Sequence, residues 1–86
     1  MSRYRLLVDW DVIEKVNRSP MALRRTFKEA FVRIGKSPDR ICDYMEPNER
    51  GIPLAVHVCR GFAIKDWTDF ADRHVKISDI APADQV

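Results

Sequence analysis

Three short runs of alternating apolar and polar residues, Leu54 to Cys59, Phe62 to Trp67 and Arg73 to Ile80, follow one another with only tight turns between them. Alternation at a period of two marks a strand with one face against a core. Connections this short admit hairpins and leave no room for crossover helices, so the second half of the chain reads as an antiparallel meander. Gly61 supplies the first turn, and a polar turn around Asp69 to Asp72 supplies the second. Parity puts Leu54, Val56 and Val58 on one face, Phe62 and Ile64 on one face with Ala63, Lys65 and Trp67 on the other, and Val75 and Ile77 inward.

Ahead of the meander the pattern changes. Arg3 to Trp10 alternates, and its parity predicts a strand with Tyr4, Leu6, Val8 and Trp10 on the core face. Asp11 to Asn17 predicts a short helix capped by Asp11, with Val12, Ile13 and Val16 on one side. Ser19-Pro20 ends it and opens a second helix, with Ser19 as N-cap and Pro20 at the first helical position. Leu23, Phe27, Ala30, Phe31 and Ile34 form one apolar stripe along that helix; Gly35 is predicted as a left-handed C-terminal cap, and Pro38 prevents resumption. The short link predicts a helical hairpin. A strand over Ile41 to Met45, a loop over Pro47 to Pro53 and a loose tail from Ala81 complete the reading. The fold class is α+β: an N-terminal strand, a helical hairpin, then a three- to four-stranded antiparallel sheet, one domain over 1–86 with its core at about 3–80.

Composition bounds the function classes. With 45% hydrophobic and 33% charged residues, the 86-residue chain is too apolar for wholesale disorder and long enough for one small core. Cys42 and Cys59 are too few for a disulfide framework and read as thiols in a reducing compartment. The opening MSRYRLLVDW has no apolar signal region, and no stretch has the length of a membrane span, so the expectation is cytoplasmic. The net charge of +2 conceals an asymmetry: Arg24, Arg25, Lys28, Arg33, Lys36 and Arg40 face only Glu29 and Asp39, while Asp66, Asp69, Asp72, Asp79 and Asp84 dominate the C-terminal part. A basic segment of this kind suits nucleic acid or an acidic protein surface, or is simply the solvated face of a helix.

If Val56, Val58, Phe62, Ile64, Val75 and Ile77 face the helices, then His57, Cys59, Lys65, Trp67, His74 and Lys76 share the opposite sheet face, with Arg60 at the adjoining turn. Arg60, Lys65, Trp67, His74 and Lys76 are the predicted nucleic-acid contacts, the cations on phosphate and Trp67 stacked on a base. His57 and Lys65 are the predicted catalytic pair, His57 as acid or base. The plain alternative is an antiparallel sheet keeping its wet face polar. His57 and Cys59, with Cys42 and His74, lack the paired spacings of a structural zinc site, so neither a metal nor a cofactor is predicted. A Cys59 nucleophile beside His57 lacks an orienting third group. Trp10 and Trp67 are also candidate interface anchors, the core reading being preferred for Trp10. On the second helix Val32 lies opposite the apolar stripe, which makes Arg24, Arg25, Lys28, Val32 and Arg33 the predicted partner surface.

YRLLVDW followed by a helix, a basic second helix ending in RIGKSPDR, the strand pair around CRGFAIKDW and the closing strand RHVKISDI together resemble the RelE/ParE superfamily of toxins from bacterial toxin–antitoxin pairs, over nearly the whole chain. The resemblance implies a toxin neutralised by a cognate antitoxin that wraps it. The RelE branch further implies metal-free attack of a ribose 2′-hydroxyl on the adjacent phosphate in ribosome-bound messenger RNA; the ParE branch implies inhibition of DNA gyrase. The sequence departs from the nuclease pattern: Ala63 stands where an arginine is common, and no tyrosine follows Tyr44. A contrasting reading is a non-catalytic α+β module that forms a homodimer or binds an acidic protein or nucleic acid.

Overall fold

Strand β1 (Arg5–Val8) leads through Asp9 into helix α1 (Trp10–Arg18), helix α2 (Met21–Lys36) and strands β2 (Tyr44–Pro47), β3 (Pro53–Cys59), β4 (Phe62–Asp69) and β5 (His74–Pro82), closed by a 3-10 turn over Ala83–Gln85. This computed structural model describes residues 4–36 and 42–85. The expected order of strand, helical hairpin and sheet is present. The sheet, however, has five strands in the order β1-β5-β4-β3-β2, and β1 joins it parallel to β5. It is therefore mixed, with the meander antiparallel and β1 added at one edge.

The helix boundaries follow from where backbone groups find partners. The Asp9 carbonyl accepts the N–H groups of Val12 and Ile13 at 3.0 and 3.1 Å, so the helix starts at Trp10, one residue before the sequence suggested. That start ends strand parity, and Trp10 is 70% exposed instead of packed in the core. Asp9 is the N-cap residue, not Asp11, which sits in the first turn. Ser19 serves the end of α1 and not the start of α2: its Oγ donates to the Lys15 carbonyl at 2.8 Å and its N–H to that of Val16 at 3.0 Å. The Pro20 carbonyl accepts Arg24 N–H at 2.9 Å, which leaves Pro20 just outside the helix. Gly35 is likewise not a cap. It is buried inside α2, and a Cβ there would lie 3.4 Å from Leu6 Cβ and Cδ1, so glycine lets α2 approach β1. Pro38 and Ile41 lie outside the described residues.

Strand β2 begins at Tyr44, and Asp43, just before it, joins the ladder in two ways. Its N–H donates to the Val56 carbonyl at 2.9 Å and its Oδ2 accepts Val58 N–H at 2.6 Å. Between β2 and β3, Asn48 organises the turn: Oδ1 accepts Arg50 and Ile52 N–H at 2.8 and 2.9 Å, and Gly51 takes φ 80°. Pro47 and Pro53, the expected loop limits, are opposed at the ends of the strands, where no ladder donor is lost. At the far end of the chain β5 runs beyond Ile80 to Pro82, and Ala83 N–H donates to the Gly61 carbonyl at 2.8 Å. The segment expected to be loose is thus tied to the β3–β4 turn.

The core forms between the helices and one sheet face, from Val12, Val16, Phe27, Ala30, Phe31, Ile34, Ile64, Val75, Ile77 and Ile80. Tyr4, Leu6, Val8, Leu23, Cys59 and Phe62 pack around it, as the β1 and α2 periodicities require. Phe27 meets Phe62 edge to face at 5.2 Å between ring centres. Replacing Phe27 by alanine is expected to lower unfolding free energy by about 3–5 kcal/mol. A urea midpoint unchanged from the parent would show that this aromatic contact does not anchor α2.

Candidate functional site

Residues opposed across a sheet ladder share a face, and the register assigns every strand. Ile64 is opposed to Ile80 and to His57, Phe62 to Cys59, and Asp66 to Ile77 and Ala55, so His57, Cys59 and Asp66 lie on the helix side. Val56 is opposed to Lys65, and Val58 to Ala63, on the open side. The expected parity of β3 is therefore inverted. Phe62, Ile64, Val75 and Ile77 face the helices as predicted, and Lys65, Trp67, His74 and Lys76 share the open face as predicted, but Val56 and Val58 exchange sides with His57 and Cys59. Val56 is nevertheless fully buried while Val58 is 46% exposed. The difference follows from the Lys65–Glu46 ion pair, which spans β3 between β4 and β2 on that face.

On the open face Lys65 Nζ lies 2.8 Å from Glu46 Oε2, with only 16% of the lysine side chain accessible. Asp79, opposed to Lys65 on β5, is held by Lys15 Nζ at 3.0 Å. The lysine expected to meet phosphate is therefore already compensated by a carboxylate. Lower on the same face Trp67 is opposed to Lys76, which is opposed in turn to Leu7 of β1; His74 is opposed to Arg5. The Trp67 and His74 rings meet edge to face at 6.0 Å. Lys76 is half exposed and makes only a long contact, 3.6 Å, with Asp9 Oδ1. The result is a surface of one indole, one imidazole and two cations, Arg5, Lys76, Trp67 and His74, bordered by Asp69 opposite His74; its indole and cations suit a base stacked on Trp67 with its phosphates on Arg5 and Lys76.

Arg60 is not part of that surface. It sits exposed in the β3–β4 turn with φ 51°, separated from His74 by the length of β4, roughly 23 Å at the usual strand rise. The ligand atoms of Asp69, Asp72 and His74 all lie within 4.8 Å of one another at the β4–β5 turn, where Asp69 Oδ1 also accepts the N–H groups of Ala71 and Asp72 at 3.0 Å each. His74 thus adjoins carboxylates on one side and Trp67 on the other. The conceivable zinc set of Cys42, His57, Cys59 and His74 does not converge, since His57 and Cys59 occupy the helix side and His74 the open side.

His57 has a partner that the sequence did not indicate. Its Nε2 lies 2.7 Å from Oδ2 of Asp66, whose side chain is 1% exposed. The approach is close but the ring N–H is poorly aligned with the oxygen, and among the described residues neither carboxylate oxygen of Asp66 has another hydrogen-bond partner. The imidazole is thus the nearest compensation for a buried carboxylate, away from the open face. Arg5 and Asp66 are the residues sequence reasoning missed. Arg5 was legible as the neighbour of Leu7 on the outer parity of β1, whereas the Asp66 contact depends on a cross-strand diagonal that no local pattern shows. Arg24, Arg25, Lys28, Val32 and Arg33 all lie on α2 away from the sheet, Val32 at 49% exposure.

No protein-family model matches the sequence, and no curated protein matches it. In three dimensions it is similar to a chain of the crystal structure of the archaeal RelE–RelB complex from Pyrococcus horikoshii OT3, with a TM-score of 0.78 and 17% sequence identity over 99% of this chain and 100% of that one. The chain shares that fold along its whole length; at this identity the likeness is one of fold. No helix among the described residues is long and apolar enough to cross a membrane.

Replacing His57 by alanine strands the Asp66 carboxylate and is expected to cost about 3–5 kcal/mol of stability. The double replacement His57→Ala, Asp66→Ala should be less damaging than the sum of the singles. Additive denaturation midpoints across this cycle would mean that the two side chains are not coupled.

Proposed function

We propose that this chain is the toxin component of a type II toxin–antitoxin pair, acting in the cytoplasm and neutralised by a cognate antitoxin. The observation that carries the reading is the RelE-like fold along the whole chain, joined to an open sheet face on which Trp67, His74 and Lys76 stand together beside Arg5. Of the actions open to such a toxin, RNA binding with cleavage is the one this face supports best. Trp67 offers a stacking surface, Arg5 and Lys76 offer charge to the phosphates, and His74 is the imidazole placed to move a proton there. His57 belongs to the helix side, where it compensates Asp66. Messenger RNA on the ribosome is the corresponding substrate.

A second reading, inhibition of DNA gyrase, is favoured by two specific features. Ala63 occupies the position where the nuclease pattern places an arginine, and Lys65 is bound to Glu46. Both remove positive charge from the centre of the face, where a phosphorane would need it most.

Induction of the chain alone in bacteria is expected to arrest growth, with cuts at defined positions in messenger RNA. Trp67→Ala should weaken RNA binding and cleavage by about tenfold, in line with roughly 1–3 kcal/mol for a stacked base, and Lys76→Ala should weaken binding across sequences and reduce its salt dependence. Arrest with DNA breaks and intact messages would select the gyrase reading, and no arrest at any level of expression would overturn the toxin assignment.

A further inference from the structure

The solvent side of α2 has an order that its basic composition alone does not predict. Met21, Arg25, Lys28 and Val32 recur at spacings of four, three and four, the spacing of a coiled-coil seam, and all are exposed, Met21 at 71% and Val32 at 49%. Arg24 flanks this line on one side, and Glu29 and Lys36, with Arg33 beyond them, flank it on the other. The inner side of the same helix buries Phe27, Ala30, Phe31, Ile34 and Gly35, so the outer seam plays no part in the core. Among the described residues no carboxylate lies within ion-pairing distance of Arg24, Arg25, Lys28 or Arg33. Elsewhere Lys15 of α1 and Lys65 and Lys76 of the sheet each lie beside a carboxylate.

We propose that this seam docks an acidic amphipathic helix of a partner protein, apolar where it meets Met21 and Val32 and carboxylate-bearing where it meets Arg25 and Lys28. The inference rests on the toxin reading, in which that helix belongs to the neutralising partner. Charge complementarity requires acidity of the occupant. The spacing suits a helix, because Met21 and Val32 stand at intervals that mesh with the ridges of a second helix while Arg25 and Lys28 meet side chains along it. Nucleic acid is the less fitting occupant: a phosphate track gains from an unbroken row of cations, and here each end of the row is a large apolar side chain.

The experiment titrates the full-length chain with a short synthetic helix carrying leucine at the positions facing Met21 and Val32 and glutamate at those facing Arg25 and Lys28. The controls are the same composition with leucine and glutamate interchanged, and a single-stranded RNA oligonucleotide. Saturable binding of the first peptide is expected, weakened at least about tenfold by Val32→Glu and by Lys28→Glu, with the circular dichroism of both variants unchanged. Absence of saturable binding, equal binding of the interchanged peptide, or retention of affinity in both variants would overturn the proposal, as would displacement of the peptide by RNA in a manner abolished by Lys28→Glu. Growth arrest separates the two levels. If Val32→Glu and Lys28→Glu still arrest growth but the peptide does not bind, the docking surface fails and the toxin reading stands; if the peptide binds but the parent chain does not arrest growth, the toxin reading fails and the surface stands.

Discussion

The extra residue in β5 decides which side of this sheet every later side chain occupies. Lys65 is opposed to Asp79 and Asp66 to Ile77, so Ser78 has no partner on β4. This bulge lets Ile77 and Ile80, three residues apart, both enter the core. In an unbroken ladder they would lie on opposite faces, and Ile80 would leave Ile64 without its neighbour. The same shift keeps His74 and Lys76 in phase with Trp67 on one side of the bulge and Asp79 in phase with Lys65 on the other. Core and open face are therefore set together by one irregularity, and β1 inherits the phase by pairing with the lower half of β5.

Much of this was legible in the sequence, for identifiable reasons. The apolar stripe of α2 and the alternation of β1, β4 and β5 are local signals, and they mark the residues that pack. Alternation shows which residues share a face but not which of two faces meets the helices. In β3 the more hydrophobic set, Leu54, Val56 and Val58, lies on the open side, where the Lys65–Glu46 pair spans the strand. That inversion moved His57 and Cys59. The boundary at Trp10 and the reassignment of Ser19 turn on which carbonyl accepts which N–H, and composition does not settle that competition. The parallel β1–β5 pair, and with it the place of Arg5, brings together residues almost seventy positions apart, beyond the reach of any window.

Charge is handled differently on the two sides of the molecule. Three lysines are matched locally, Lys15 of α1 with Asp79, Lys65 with Glu46, and Lys76, more loosely, with Asp9, while Arg5 of β1 has no carboxylate in ion-pairing distance among the described residues. A matched, partly desolvated pair contributes shape and register more than net field. On α2 the cations stand without such partners among the described residues, so that surface offers unmatched positive charge to an approaching macromolecule at moderate ionic strength. The small overall net charge understates this contrast. The cations that look most catalytic in the sequence are the most restrained, and those that look like ordinary helix solubility are the most available.

The upper half of β5 runs past the end of β1, so among the described residues its outer backbone edge has no strand beside it. Such an edge invites intermolecular strand addition and the growth of insoluble fibrils. Lys15 covers it, its ammonium donating to the Ile80 carbonyl at 3.1 Å while it also holds Asp79. Helix α1 thus acts as a molecular guard rail: a chain in which it had not yet docked would expose a template for self-association, making the arrival of this short helix a determinant of solubility as well as of fold.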